Sequence, residues 1–91
     1  MQPPPPQDVQ RPNEVRMAGN TFLPGILTVP VGTTVIWKNK DSQIHTVVSN
    51  TGLFYGTLDV GASFNFTFTK AGDFEYNCDI HPGMAGAIHV Q

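Results

Sequence analysis

Apolar and polar residues alternate along most of this chain, and the alternation has a period of two. Ser63 to Thr69 places Phe64, Phe66 and Phe68 between small polar residues, as in a strand with one buried face. Phe74-Glu75-Tyr76-Asn77-Cys78 repeats the pattern after a Lys70-Ala71-Gly72-Asp73 turn. Thr33-Thr34-Val35-Ile36-Trp37 is β-branched and aromatic and follows a Pro30-Val31-Gly32 turn. His45 to Ser49 and Ala87 to Val90 predict further short strands. Met17 to Val31, broken at Pro24-Gly25, predicts two more. No stretch sustains a helical period. The pattern predicts an all-β sandwich or small barrel, with Trp37, Phe64, Phe66, Phe68 and Phe74 as core aromatics.

Composition changes this picture mainly at the N-terminus. Pro3 to Pro6 and Pro12 make residues 1–16 a disordered or extended Pro-rich tail or linker, leaving 17–91 as the folded domain. A domain of that size has a barely sufficient core, and small domains often carry a staple. Cys78 is the single cysteine, so an internal disulfide is excluded and a metal becomes the next candidate. Only 13% of residues are charged and the net charge is −2 with no basic cluster, which excludes nucleic acid as a partner. No apolar run reaches the length of about 20 residues that spans a bilayer. A signal or anchor is therefore expected only upstream of this chain, with the Pro-rich stretch as spacer.

The chemistry concentrates in Cys78-Asp79-Ile80-His81-Pro82-Gly83-Met84. A thiolate, an imidazole and a thioether recur every three residues on one loop that begins where a strand ends. Pro82 and Gly83 suit the tight turn that would aim them at a common point. His45 opens an earlier strand after the polar turn Lys40-Asp41-Ser42-Gln43, and in a sandwich that turn and the Cys-to-Met loop can share one end. Taken singly, a buried Cys is a small hydrophobe, a His a surface residue and a Met core filler. Taken together, two imidazoles, one thiolate and a weak thioether form the ligand set of a type 1 copper site. Such a mixed set is tolerable to both Cu(I) and Cu(II), as an electron carrier requires.

The same stretches resemble the cupredoxins, in particular their plastocyanin and amicyanin branch. The likeness runs through Val29-Pro30-Val31-Gly32-Thr33-Thr34-Val35-Ile36-Trp37-Lys38-Asn39-Lys40-Asp41, His45-Thr46-Val47 and Phe66-Thr67-Phe68. It continues in Gly72-Asp73-Phe74-Glu75-Tyr76-Asn77-Cys78 and closes with His81-Pro82-Gly83-Met84, Gly86 and Val90. The resemblance implies a Greek-key β-sandwich with one type 1 copper ion on His45, Cys78, His81 and Met84. It also implies a blue copper electron-transfer protein of the periplasm or a comparable extracytoplasmic space, often membrane-tethered. Redox protein partners are then expected to dock at the His81 end, with the chain as a monomer. Thr46 departs from the family, where many members place an Asn that ties the two ligand segments together. Thr reaches less far, so a looser tie is expected.

The alternative function is a mononuclear copper redox enzyme with an open site, acting on a small molecule such as a nitrogen oxide. Three histidines are too few for a trinuclear cluster, and one cysteine is too few for a thiolate-bridged pair. No catalytic residue is singled out. His89, alternating with Ile88 and Val90, is expected to face outward. Tyr76 should share the face of Cys78 and pack near the site. Leu53, Phe54 and Tyr55 either rim the metal end or close the core. Asn65-Phe66-Thr67 matches a glycosylation sequon, a three-residue pattern that an outward strand Asn explains.

Overall fold

The computed structural model describes residues 11–91. Nine strands follow one another: β1 (Glu14–Ala18), β2 (Thr21–Leu23), β3 (Ile26–Val29), β4 (Thr34–Asn39), β5 (His45–Ser49), β6 (Tyr55–Leu58), β7 (Ser63–Thr67), β8 (Gly72–Asn77) and β9 (Ala85–Val90). They form a four-stranded sheet in the order β2-β1-β4-β7 and a five-stranded sheet in the order β3-β9-β8-β5-β6. The chain passes between sheets five times, at β2–β3, β3–β4, β4–β5, β6–β7 and β7–β8. Both sheets are mixed, with β1 parallel to β4 and β3 parallel to β9. This is the sandwich that the strand pattern predicts, with the Greek-key arrangement that the family resemblance implies. No described helix is long and apolar enough to cross a membrane.

The expected domain start at Met17 lies inside β1. Glu14, Val15 and Arg16 belong to the strand, paired in parallel with Ile36, Trp37 and Lys38 of β4. Val15 is fully buried, and the Glu14 carboxylate is 3.3 Å from Lys38 Nζ. The two charged residues of β1 flank an inward valine, so a strand with one core face looked like a polar tail. Of the rest of that tail, residues 1–10 fall outside the described residues.

Inward side chains from both sheets meet around Trp37, which is completely buried. Its indole lies 5.4 Å from the rings of Phe54 and Tyr76, 5.7 Å from Phe64 and 6.4 Å from Phe68. Phe22 adds an edge-to-face contact with Tyr76 at 4.7 Å, within the range that aromatic pairs favour. Phe54 therefore closes the core. β6 is held against β7 by a close approach: a Cβ on Gly56 would lie 2.5 Å from the Phe64 ring. Leu53 lines a small apolar cavity of about 160 Å³ with Phe66, Phe68 and Phe74. This cavity follows the end of β5 opposite His45, so Leu53 does not rim the metal end.

The register of β5 sets up the site. His45 pairs with Leu58 at one end of the β5–β6 ladder, and the other end of β5 joins β8 through Val48 and Asn77. β8 ends at Asn77, so Cys78 leaves the sheet at the end where β5 begins. His89 lies elsewhere, half-exposed on β9 and paired with the Asp73 carboxylate. It is an outward surface residue, as its alternation implies.

Candidate metal centre

Two connections at one end of the five-stranded sheet deliver the donors, one leading into β5 and the other joining β8 to β9. The β4–β5 connection is pinned by Asn39, buried at the end of β4. Its amide donates to the carbonyls of Gln43, Leu58 and Asp59, and its Oδ1 accepts the Asp41 N–H. A buried amide satisfied on both sides fixes the loop that precedes His45. The second element is the Cys78-to-Met84 loop. Cys78 N–H donates to the Met84 carbonyl at 2.9 Å, and Met84 N–H donates to the His81 carbonyl at 3.2 Å. Pro82 and Gly83 occupy the middle of that turn, with Gly83 at φ 86°, the backbone a type II turn requires at this position.

These elements bring His45, Cys78 and His81 together, with their ligand atoms within 4.8 Å of one another. The two Nδ1 atoms are 3.1 Å apart, and Cys78 Sγ lies 3.8 Å from His45 Nδ1 and 3.6 Å from His81 Nδ1. Metal–imidazole bonds of about 2.0 Å and metal–thiolate bonds of about 2.3 Å span a triangle of this size. The outer nitrogens fix both rings. His45 Nε2 donates to Asp41 Oδ2 at 2.9 Å, and His81 Nε2 donates to Gln43 Oε1 at 2.9 Å. Each ring therefore turns Nδ1 towards the thiol, and outer partners of this kind orient metal-ligating imidazoles. Hydrogen bonds from Asn20 N–H, His45 and Ser42 N–H hold the Asp41 carboxyl down at about 2, so it is an anion at neutral pH. Asp41 and Gln43 are site residues that the sequence showed only as part of a polar turn, and Asn39 is one that it did not single out.

Met84 is buried beside these residues, and its backbone closes the loop. Two imidazoles, a thiol and a nearby thioether match the donor chemistry of copper better than that of zinc, whose structural sites use nitrogen and thiolate. The residues fit one copper ion.

The expected loose tie between the ligand segments is not what the fold builds. Asp79 N–H donates to Thr46 Oγ1 at 2.9 Å, and Thr46 Oγ1 donates to Asp79 Oδ1 at 2.6 Å. Thr46 N–H also reaches Cys78 Sγ at 3.4 Å. Thr46 is short, but Asp79 extends across to meet it, so the two together span the gap. Tyr55, exposed on β6, donates its phenol to the other Asp79 oxygen at 3.2 Å. That contact pushes the Tyr55 hydroxyl above its ordinary 10.0. Tyr76, expected near the site, packs in the core against Trp37, Phe22 and Phe54, and burial pushes its hydroxyl up to about 12.

Burial alone would push the Cys78 thiol up. Its contacts with Thr46, His81 and His45 outweigh burial and bring it from 9.0 down to about 6. The unfolded chain keeps the thiol proton to about pH 8.5, so it binds more protons than the folded state between there and pH 6. The metal-free protein should therefore gain stability as pH rises through that window and lose this contribution below pH 6. Melting of metal-free protein at pH 5.5 and 9 checks the sign, with Cys78→Ala as control. The variant should lose the rise; an equal rise without the thiol would contradict it.

Comparison with known proteins agrees with this geometry. The family profile described as a cupredoxin-like domain matches residues 1–90. The chain belongs to the cupredoxins. The cupredoxin is 34% identical to the amicyanin of Paracoccus denitrificans over 71 residues, which cover 71% of this chain and 54% of the relative. The amicyanin of Paracoccus versutus is 30% identical, with 77% of this chain and 58% of the relative covered. The chain thus spans a little over half the length of these curated relatives. Among solved structures, a purple cupredoxin from Nitrosopumilus maritimus superposes with a TM-score of 0.80 at 32% identity, covering 86% of this chain and 98% of that one. The copper-containing nitrite reductase of Thermus scotoductus superposes with a TM-score of 0.81 at 34% identity. That match covers 99% of this chain but 25% of the reductase, so the likeness is to a quarter of an enzyme.

Proposed function

We propose that this cupredoxin is a one-electron carrier that holds a single type 1 copper ion on His45, Cys78, His81 and Met84. The observation that carries the reading is the convergence of both Nδ1 atoms and Cys78 Sγ at one buried end of the sandwich. Bound copper would supply the redox chemistry, alternating between Cu(II) and Cu(I) by one electron. The chain's part is to hold the donors still and keep water away. His45 is fully buried, and Cys78 and Met84 are each 3% exposed. Outer hydrogen bonds donated by the rings to Asp41 and Gln43 lock both imidazoles, so little needs to move when charge changes.

His81 is the one donor of the triad that is not buried. Ile44, Val60 and Ile80 are exposed apolar side chains on connections at the same end. Such a surface suits brief docking of redox protein partners, with a monomeric carrier working in an extracytoplasmic space. The closed ligand set argues against the open site that a nitrogen-oxide enzyme needs. Copper-loaded protein should give reversible one-electron voltammetry, and nitrite or azide should leave its visible spectrum unchanged. A spectral shift on adding either anion would favour the enzyme.

Replacing Met84 with leucine should retain the copper and raise the reduction potential, because a weak donor to Cu(II) is lost. Voltammetry reads the shift, and a fall in potential would contradict the role given to the thioether.

A further inference from the structure

Resting on the copper site proposed above, we propose that Asp79 is a positioning residue that governs the hydrogen bonding of the Cys78 thiolate. It does so by drawing the Thr46 hydroxyl proton away from the sulfur. Thr46 Oγ1 lies within reach of two acceptors, Asp79 Oδ1 at 2.6 Å and Cys78 Sγ at 3.6 Å. A hydroxyl has one proton to give, and sulfur is the weaker acceptor. The 2.6 Å separation is that of a charge-assisted O–H···O⁻ bond. The proton therefore goes to Asp79. A lone pair of the same hydroxyl takes the Asp79 N–H at 2.9 Å, which makes the pairing reciprocal. Tyr55 holds the second carboxylate oxygen, so the carboxylate cannot easily turn away.

The thiolate is left with the Thr46 N–H as its donor from this segment, at 3.4 Å. The difference matters because hydrogen bonds to a ligating sulfur withdraw charge from it and favour the reduced ion. Without Asp79, the Thr46 hydroxyl has only the sulfur to turn to. Asp79 touches neither the metal position nor a redox partner in this role; it acts through Thr46.

The test is a double-mutant cycle on the copper-loaded full chain: wild type, Asp79→Ala, Thr46→Val and the double variant. Reduction potential and the energy of the sulfur-to-copper band are read for each. Removing the carboxylate also removes a negative charge, which raises the potential whatever residue occupies position 46. The hydroxyl adds a second contribution only where the threonine is present. We expect the shift from Asp79→Ala to be larger in the wild-type background than in the Thr46→Val background. The difference should be roughly three- to tenfold in the Cu(I)/Cu(II) ratio at fixed potential, the worth of one hydrogen bond. Tenfold corresponds to about 59 mV for one electron. Thr46→Val alone should leave the band close to wild type, because the hydroxyl proton is not on the sulfur.

Equal shifts in both backgrounds, or a marked fall in potential from Thr46→Val alone, would overturn the inference. Asp79→Leu, which keeps a similar side-chain volume and offers no acceptor to the hydroxyl, serves in the same two backgrounds should the alanine variant fail to fold. A wild-type protein that takes up no copper would overturn the proposed function together with this inference. A blue protein with equal shifts would overturn this inference alone.

Discussion

Replacing Cys78 with serine should abolish the intense visible absorption of the copper-loaded protein. A thiolate has filled orbitals high enough in energy to donate to Cu(II) with visible light, whereas a serine hydroxyl keeps its proton at neutral pH and has none. The position leaves little room for compensation. Cys78 is 3% exposed, and its Sγ sits at the apex of the triangle with two Nδ1 atoms and receives the Thr46 N–H. Serine is nearly isosteric, so the fold should survive, and any copper left on His45 and His81 would be only weakly coloured. The visible spectrum of the variant reconstituted with Cu(II) checks this. A band of wild-type intensity would mean that the sulfur is not a ligand.

The second large effect is on stability. Trp37→Ala removes the side chain on which four aromatic rings converge, in a domain whose core has no disulfide support. Truncating a fully buried tryptophan costs about 3–5 kcal/mol, against about 5–15 kcal/mol for a whole domain. In a domain this small, that should lower the metal-free melting temperature by roughly 15–30 °C. Copper offsets part of the loss, because an ion that binds only the folded form at 100 times its dissociation constant adds about 2.7 kcal/mol. Thermal unfolding of wild type and variant, each with and without copper, reads both effects. A variant that melts within a few degrees of wild type would contradict the account of the core. Equal melting of metal-free and loaded protein would contradict preferential binding to the folded state.

Most strands are plain in the sequence from alternation or from β-branched and aromatic runs, and β2 and β3 fall on either side of the break expected at Pro24-Gly25. β5 begins at His45 as expected, and β4, β7, β8 and β9 fall within two or three residues of their patterns. β1 was hidden because Glu14 and Arg16 are charged, and its reason for being a strand lies in β4. Lys38 answers Glu14 from the neighbouring strand, at a distance in sequence that a local pattern does not register. β6 was hidden for a related reason. Tyr55-Gly56-Thr57-Leu58 has one fully buried large side chain, and Gly56 matters only because Phe64 packs against it.

The site divides along the same line. The proposed donors Cys78, His81 and Met84 stand out by their spacing, and His45 by its place at the head of a strand. Asp41 and Gln43 could not be read as ring partners, because their roles depend on where Asn39 pins the loop. Thr46 and Asp79 are 33 residues apart. Considered alone, Thr46 implied a weaker tie; only the fold reveals that Asp79 completes it.

Titration of metal-free protein with Cu(II), followed by visible absorption and electron paramagnetic resonance, tests the central claim most directly. The account predicts one equivalent bound, an intense sulfur-to-copper band, and the narrow copper hyperfine splitting of a covalent thiolate site. A solution that stays colourless with its thiol intact, or a spectrum showing only nitrogen and oxygen ligation, would contradict it.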